Sequence, residues 1–204
     1  AIVDAIAADT DVVGIGCMFS CQWPATRRLL HLIRRRFPNV PLVLGGEHPT
    51  GLPELSMAQA PVDFVVFGEG EETFVDLLSC GLSAGDVSAV PGIAFRAAEG
   101  ITVNPRRGRI RHIDDIPPPA WHLFPIEAYM AYNQPHGASR GRFMPMLATR
   151  GCPYECTFCT SPSMWTQRWI ARVPKRVVDE MESYVARYEA CDFQFEDLTA
   201  IIRK

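Results

Sequence analysis

Three cysteines lie within eight residues, at Cys152, Cys156 and Cys159, in the run Arg150-Gly151-Cys152-Pro153-Tyr154-Glu155-Cys156-Thr157-Phe158-Cys159. Thiolates are soft ligands that suit iron and zinc, and three with this C-x3-C-x2-C spacing can turn inward from one loop onto one metal centre. A structural zinc site normally closes with four protein ligands. Three ligands leave one position open, and an open position is where a small molecule binds and reacts. The alternatives are a zinc loop completed by a distant histidine and three unrelated thiols; His31, His48, His112, His122 and His136 are scattered, and none is assigned to metal.

The elements that must carry this loop are legible around it. Met144 to Thr149 is a short apolar run that reads as a strand entering the loop. Pro174 to Tyr188 has helical periodicity, with Val177, Val178, Met181, Tyr184, Val185 and Tyr188 on one face. Asp192 to Phe195 reads as a second strand with Phe193 and Phe195 turned inward, and Glu196-Asp197 follows at its carboxyl end. One βαβ unit of this kind opens a (β/α) barrel, whose active sites lie at the carboxyl ends of the strands.

A second constellation precedes the cysteines. The runs Asp11–Met18, Pro41–Gly46 and Val62–Phe67 read as strands, and Trp23–Phe37, Thr50–Ala60 and Glu71–Cys80 as the helices between and after them. Ala1–Ala8 reads as the end of a helix. Alternating strands and helices predict an open parallel α/β sheet, in which ligands bind beyond the carboxyl ends of the strands. All three strand ends carry glycine: Gly16, then Gly45-Gly46, then Gly68-Glu69-Gly70. Glycine there lets backbone approach a ligand closely, although it also suits ordinary turns.

Between the two constellations, Gly92–Arg96 and Ile101–Val103 read as a small hairpin, followed by Arg106, Arg107, Arg109 and Arg111. A basic run without interleaved aromatics reads as a solvated strand or linker before it reads as a phosphate or RNA contact. Asp114–Pro125, with Pro117-Pro118-Pro119 at its heart, is a stiff connector that Trp121, Leu123 and Phe124 pin to a surface. The expected organisation is residues 1–80 as a Rossmann-like domain, 81–142 as hairpin and linker, and 143–204 as the start of a barrel. Both ends read as cut, so a longer protein is expected.

The cysteine spacing with an aromatic before the last cysteine resembles the cluster loop of the radical S-adenosylmethionine (SAM) superfamily. The runs DVVGIG, VLGGEHPT and VDFVVFGEGEETF resemble the cobalamin (B12)-binding domain that precedes many radical SAM domains. Together they resemble most the group containing the anaerobic magnesium-protoporphyrin monomethyl ester cyclase. The resemblance implies a [4Fe–4S] cluster held by Cys152, Cys156 and Cys159, with Phe158 packed beside them. It implies SAM on the fourth iron, near Glu196 and Asp197, although F-E-D stands where the superfamily has G-G-E. It implies cobalamin against Gly16, Cys17, Gly45, Gly46, Glu47, His48, Gly68, Glu69 and Gly70. The D-x-H-x-x-G loop that supplies a cobalt ligand in some members does not occur in this sequence.

The activity implied is cleavage of SAM to a 5′-deoxyadenosyl radical, used for C–H activation, methylation or cyclisation. Its implied partners are a tetrapyrrole, lipid or natural-product substrate and an external electron donor such as flavodoxin or ferredoxin. No individual catalytic residue is indicated. Trp165 and Trp169 read equally as cover for the cluster and as core. Cys17 and Cys21 read as packing, or else as part of a second cluster in a tRNA methylthiotransferase. A non-enzymatic structural metal module is the third reading. Cys80 and Cys191 read as small buried hydrophobes.

Composition bounds these readings. The 204 residues are 48 % hydrophobic, enough for a core, and the net charge of −3 makes no case for nucleic acid or an anionic membrane. No apolar run approaches the roughly 20 residues of a membrane span. Seven cysteines, three in a metal-type loop, argue for a reducing cytoplasm rather than a disulfide framework.

Overall fold

Leu42 and Leu44 point to one face of a sheet and Val43 to the other, and every neighbouring strand repeats this alternation. The computed structural model describes residues 2–82, 87–132, 138 and 140–202. It divides into two units, Ala1–Arg109 with Phe158–Met164, and Ile110–Thr157 with Trp165–Lys204.

In the first unit, β1 (Val13–Gly16), β2 (Leu42–Gly45) and β3 (Phe64–Val66) are parallel neighbours. Helices α1 (Trp23–Arg36), α2 (Glu47–Gly51) and α3 (Pro53–Gln59) separate them, and α4 (Gly70–Ser79) follows. Leu30, Ile33 and Met57 of α1 and α3 bury against Leu42, Leu44 and Val65, while Leu77 of α4 joins Val43, Phe64 and Val66. With both faces covered, β2 and β3 must be apolar throughout, as buried parallel strands are. β1 is the edge, and its Gly14 and Gly16 are exposed.

Three expectations change here. The hairpin β4 (Ile93–Ala97) and β5 (Gly100–Val103) joins the sheet, pairing antiparallel on β3 to give the order β1-β2-β3-β4-β5. Its Ile93 and Phe95 are buried, so it belongs to this core rather than to a connector. The helix expected over residues 50–60 is two helices, because Pro53 cannot donate an amide hydrogen bond and Leu52 leaves helical geometry at φ −141°, ψ 58°. The expected helix over residues 1–8 is a single 3₁₀ turn, Val3–Ala5.

The arginine run is solvated only in part: Arg106 and Arg111 are exposed, while Arg107 and Arg109 are drawn into ion pairs. Arg107 pairs with Asp76 and Glu72 of α4, and Arg109 pairs with Glu69 at 2.7 Å with both side chains buried. Arg106 donates to the carbonyls of Ser163 and Met164. These last two lie on α6 (Ser161–Trp165), after the cysteines.

The second unit contains α5 (Ile126–Tyr132) and a parallel pair, β6 (Phe143–Met146) with β9 (Asp192–Phe195), connected through α7 (Pro174–Tyr188). A small antiparallel pair, β7 (Thr149–Arg150) with β8 (Ile170–Ala171), lies in between. Met144, Met146, Val177 and Tyr184 form its buried core, with Met181, Tyr188 and Phe193 packed against it. Val178, Val185 and Phe195, expected inside, are about half exposed (50 %, 49 % and 45 %). The two valines lie on the flank of the helical stripe, and Phe195 lies at the last position of its strand, where the core ends. Cys191 is exposed and Cys80 half-buried, so neither is the fully buried hydrophobe expected. No helix of the described residues is long and apolar enough to cross a membrane.

Candidate functional site

The glycine ends of the parallel strands come together as the sheet topology requires. Gly16 and Gly45 are register partners, and the Cys17 amide donates to the Gly45 carbonyl at 2.8 Å. Gly46 has φ +105° and ψ −178°, a conformation essentially reserved for glycine. A Cβ there would stand 2.5 Å from the Cys17 carbonyl oxygen, so the second glycine of the pair is required by close backbone approach. The His48 amide then donates to that same carbonyl at 3.2 Å. At the third strand end, Gly68 turns with φ +80° and donates its amide to Thr50 Oγ1 at 3.0 Å. The first two strand ends are thus bound directly, and α2 ties the second to the third.

His48 sits in this cradle, 8 % exposed, with its ring 4.8 Å from that of Trp23. Ser20 Oγ lies 2.9 Å from Nδ1. Burial holds the imidazole pKa below its ordinary value, because desolvation disfavours the charged form. Cys17 contributes backbone only. Its side chain is fully buried, while Cys21 is exposed. Glu47 opens α2 and is half-buried. The Glu69 carboxylate is engaged by Arg109, and Gly70 begins α4. Directly after β1, Met18 and Phe19 are 49 % and 59 % exposed, an apolar rim beside the open space at Gly16.

The cysteine loop leaves β7. Gly151 there has φ +89°, which reverses the chain into the loop. Cys152 is half-buried, and Cys156 and Cys159 are exposed. Thr199 Oγ1 donates to Cys152 Sγ at 3.1 Å, and the Ser161 amide lies 3.4 Å from Cys159 Sγ. Among the described residues no three His, Cys, Asp or Glu side chains are gathered at metal-binding distance. Phe158, expected to pack beside the cysteines, is 90 % exposed, because Thr157 and Phe158 form the turn at the loop's tip.

At the carboxyl end of β9, Asp197 accepts from the Ala148 amide at 3.1 Å and from the Thr149 hydroxyl. It therefore ties β9 to the start of the cysteine loop. Glu196 is exposed and donates its amide to the Met146 carbonyl at 2.9 Å. Trp169 Nε1 donates to the Thr199 carbonyl at 2.7 Å, and the Arg150 guanidinium stands 5.8 Å over the Trp165 ring. Both tryptophans thus brace the loop's surroundings. Ser20, Thr50, Thr149 and Thr199 were not singled out from sequence. Their signal is a small hydroxyl side chain within a few residues of a strand end.

Residues 1–78 match the family model of the B12 binding domain. Over 197 residues the chain is 31 % identical to an uncharacterised methyltransferase of Pyrococcus horikoshii, covering 96 % of this chain and 41 % of that protein. It is 32 % identical over 197 residues to the cobalamin-dependent radical SAM methyltransferase TokK of Streptomyces tokunonensis, covering 92 % and 28 %. It is 31 % identical over 192 residues to the anaerobic magnesium-protoporphyrin IX monomethyl ester cyclase of Rubrivivax gelatinosus, covering 92 % and 33 %. Residues 1–78 thus resemble a B12-binding domain, and the chain is similar along most of its length to radical SAM proteins that carry one. Its fold agrees. The cobalamin-dependent radical enzyme OxsB superposes with a TM-score of 0.76 at 19 % identity, over 97 % of this chain and 26 % of that one.

Against this likeness, the two constellations separate. The glycine cradle and His48 lie inside the matched residues 1–78, and the three cysteines lie beyond them. The chain spans well under half the length of these relatives.

Proposed function

We propose that this chain binds cobalamin at the carboxyl ends of β1, β2 and β3, and a [4Fe–4S] cluster through Cys152, Cys156 and Cys159. SAM occupies the position that three cysteines leave open. The observation that carries this reading is the pairing, in one chain, of a glycine-lined strand edge with a three-thiol loop that follows a second strand. Functionally, residues 1–80 with the hairpin serve cobalamin, and residues 143–204 open the barrel that serves the cluster.

The chemistry of the residues present fits both groups. Gly14 and Gly16 leave open space beside the edge strand, where a Cβ added at either position would meet nothing within 4 Å. The thiols supply the soft donor set that iron–sulfur clusters take. When bound, the cluster and SAM supply reductive cleavage of SAM to methionine and a 5′-deoxyadenosyl radical, and cobalamin supplies methyl transfer. The chain's own residues bind and orient. The Gly45-Gly46 pair brings backbone to the cofactor edge, Met18 and Phe19 offer it apolar surface, and neutral His48 lines the cradle. Gly151 and Asp197 hold the entry to the cysteine loop. Glu196, exposed at the carboxyl end of β9, stands where a carboxylate would meet the SAM amino group.

The reaction class is methyl transfer or cyclisation on a small organic substrate such as a tetrapyrrole, lipid or natural product. An external one-electron donor of the flavodoxin or ferredoxin type supplies the electron, in the cytoplasm. The test is anaerobic reconstitution with iron and sulfide, followed by electron paramagnetic resonance with and without SAM. The expected result is a reduced [4Fe–4S] signal that changes with SAM and is lost in Cys152→Ala. Binding of zinc instead, or a cluster indifferent to SAM, overturns the reading.

A further inference from the structure

Of the three cysteine sulfurs, Cys152 Sγ receives a hydrogen bond from a side chain far away in sequence. Thr199 Oγ1 donates to it at 3.1 Å. The geometry is built rather than incidental. The Thr199 carbonyl accepts Trp169 Nε1 at 2.7 Å, which pins the backbone that presents the hydroxyl, and Thr149 Oγ1 packs 3.3 Å from that carbonyl. Thr149 is itself held by Asp197 and is 4 % exposed. Among the described residues, Cys159 receives a backbone amide, from Ser161.

From this arrangement we infer that Thr199 is a positioning residue that sets the reduction potential of the cluster, an inference that rests on the cluster assignment made above. A ligating thiolate has no proton to donate, so the hydroxyl can only donate to it. Reduction by one electron places more negative charge on the cluster and its sulfurs. A hydrogen bond to sulfur therefore stabilises the reduced form more than the oxidised form and raises the potential. Thr199 makes this cluster easier for an external donor to reduce.

The test compares wild type, Thr199→Val and Thr199→Ser after anaerobic reconstitution with iron and sulfide. Iron content is measured first, and midpoint potentials follow from a redox titration monitored by electron paramagnetic resonance. Valine keeps the shape and removes the hydroxyl; serine keeps the hydroxyl. The expected result is full iron content in all three, a lower midpoint in Thr199→Val, and a wild-type midpoint in Thr199→Ser. In deuterated water the Fe–S(Cys) stretching bands of wild type shift further than those of Thr199→Val. A folded Thr199→Val protein that takes up no cluster, beside a Thr199→Ser protein with a wild-type cluster, also assigns the hydroxyl to the site. Equal midpoints in wild type and Thr199→Val overturn the inference alone, as does loss of the cluster in both variants. A wild-type protein that forms no [4Fe–4S] cluster overturns the cluster assignment and this inference with it.

Discussion

At the scale of single residues, Gly46 and His48 carry the sharpest consequences. Gly46 adopts φ +105° with the Cys17 backbone where a Cβ would stand. Gly46→Ala is expected to destabilise the fold by about 1–3 kcal/mol from backbone strain, with the clash adding to it. Denaturant titration of wild type and variant measures this as a shift in midpoint at unchanged slope. His48 is held neutral by burial, with its folded pKa below the ordinary value of about 6.5. The unfolded chain therefore takes up this proton first as pH falls. The stability contributed is present in full above about pH 6.5 and is lost as pH drops from there through the lower folded pKa. Denaturation at a series of pH values between 7.5 and 5 should show a loss of stability that His48→Gln reduces.

At the scale of elements, a buried polar chain ties the proline-rich segment to α7. Trp121 Nε1 donates to Tyr184 Oη at 2.9 Å, and Tyr184 donates to Glu180. Arg172 bridges Glu180 at 2.6 Å and Asp114 at 3.4 Å. Asp114 also accepts the Val173 amide at 2.7 Å, just ahead of α7, where the positive end of the helix dipole favours an anion. Burial, and then the hydrogen bond to Glu180, push the Tyr184 hydroxyl well above its ordinary pKa. Arg172→Ala strands Glu180, whose side chain is 8 % exposed, and is expected to cost about 3–5 kcal/mol. Tyr184→Phe, which removes one link, is expected to cost about 1–2 kcal/mol. Thermal or chemical denaturation of the two variants should rank them in that order. A Tyr184→Phe cost equal to that of Arg172→Ala would show that the network does not centre on the ion pair.

At the scale of the whole molecule, the two proposed cofactor sites draw on different residues. Cys152→Ala is expected to abolish iron loading and leave cobalamin affinity within about twofold. A modest defect at the strand edge, as in Gly46→Ala, is expected to weaken cobalamin binding at least tenfold while iron loading persists. Cobalamin absorbance titration and iron analysis on both variants check this crossover. Loss of both cofactors in either variant would show that the sites are not separable.

Much of this was legible in the chain itself. Local chemistry is written locally: the C-x3-C-x2-C spacing, the glycine at each parallel strand end and the apolar runs of β2 and β3 need no partner to be read. The strand-helix alternation likewise implied a parallel sheet, because parallel neighbours require a crossover. What depended on distant partners was not legible. Arg107 and Arg109 looked solvated until the fold placed Glu69, Glu72 and Asp76 opposite them. The hairpin looked like a linker until β3 offered an edge to pair with. Thr199 carries no motif, and only the return of the chain after β9 brings its hydroxyl to Cys152 across 47 residues of sequence. Residue type and spacing determined which chemistry is proposed for this protein. Tertiary structure decided which side chains face that chemistry, because hydrogen bonds and ion pairs act over a few ångströms and are blind to sequence distance.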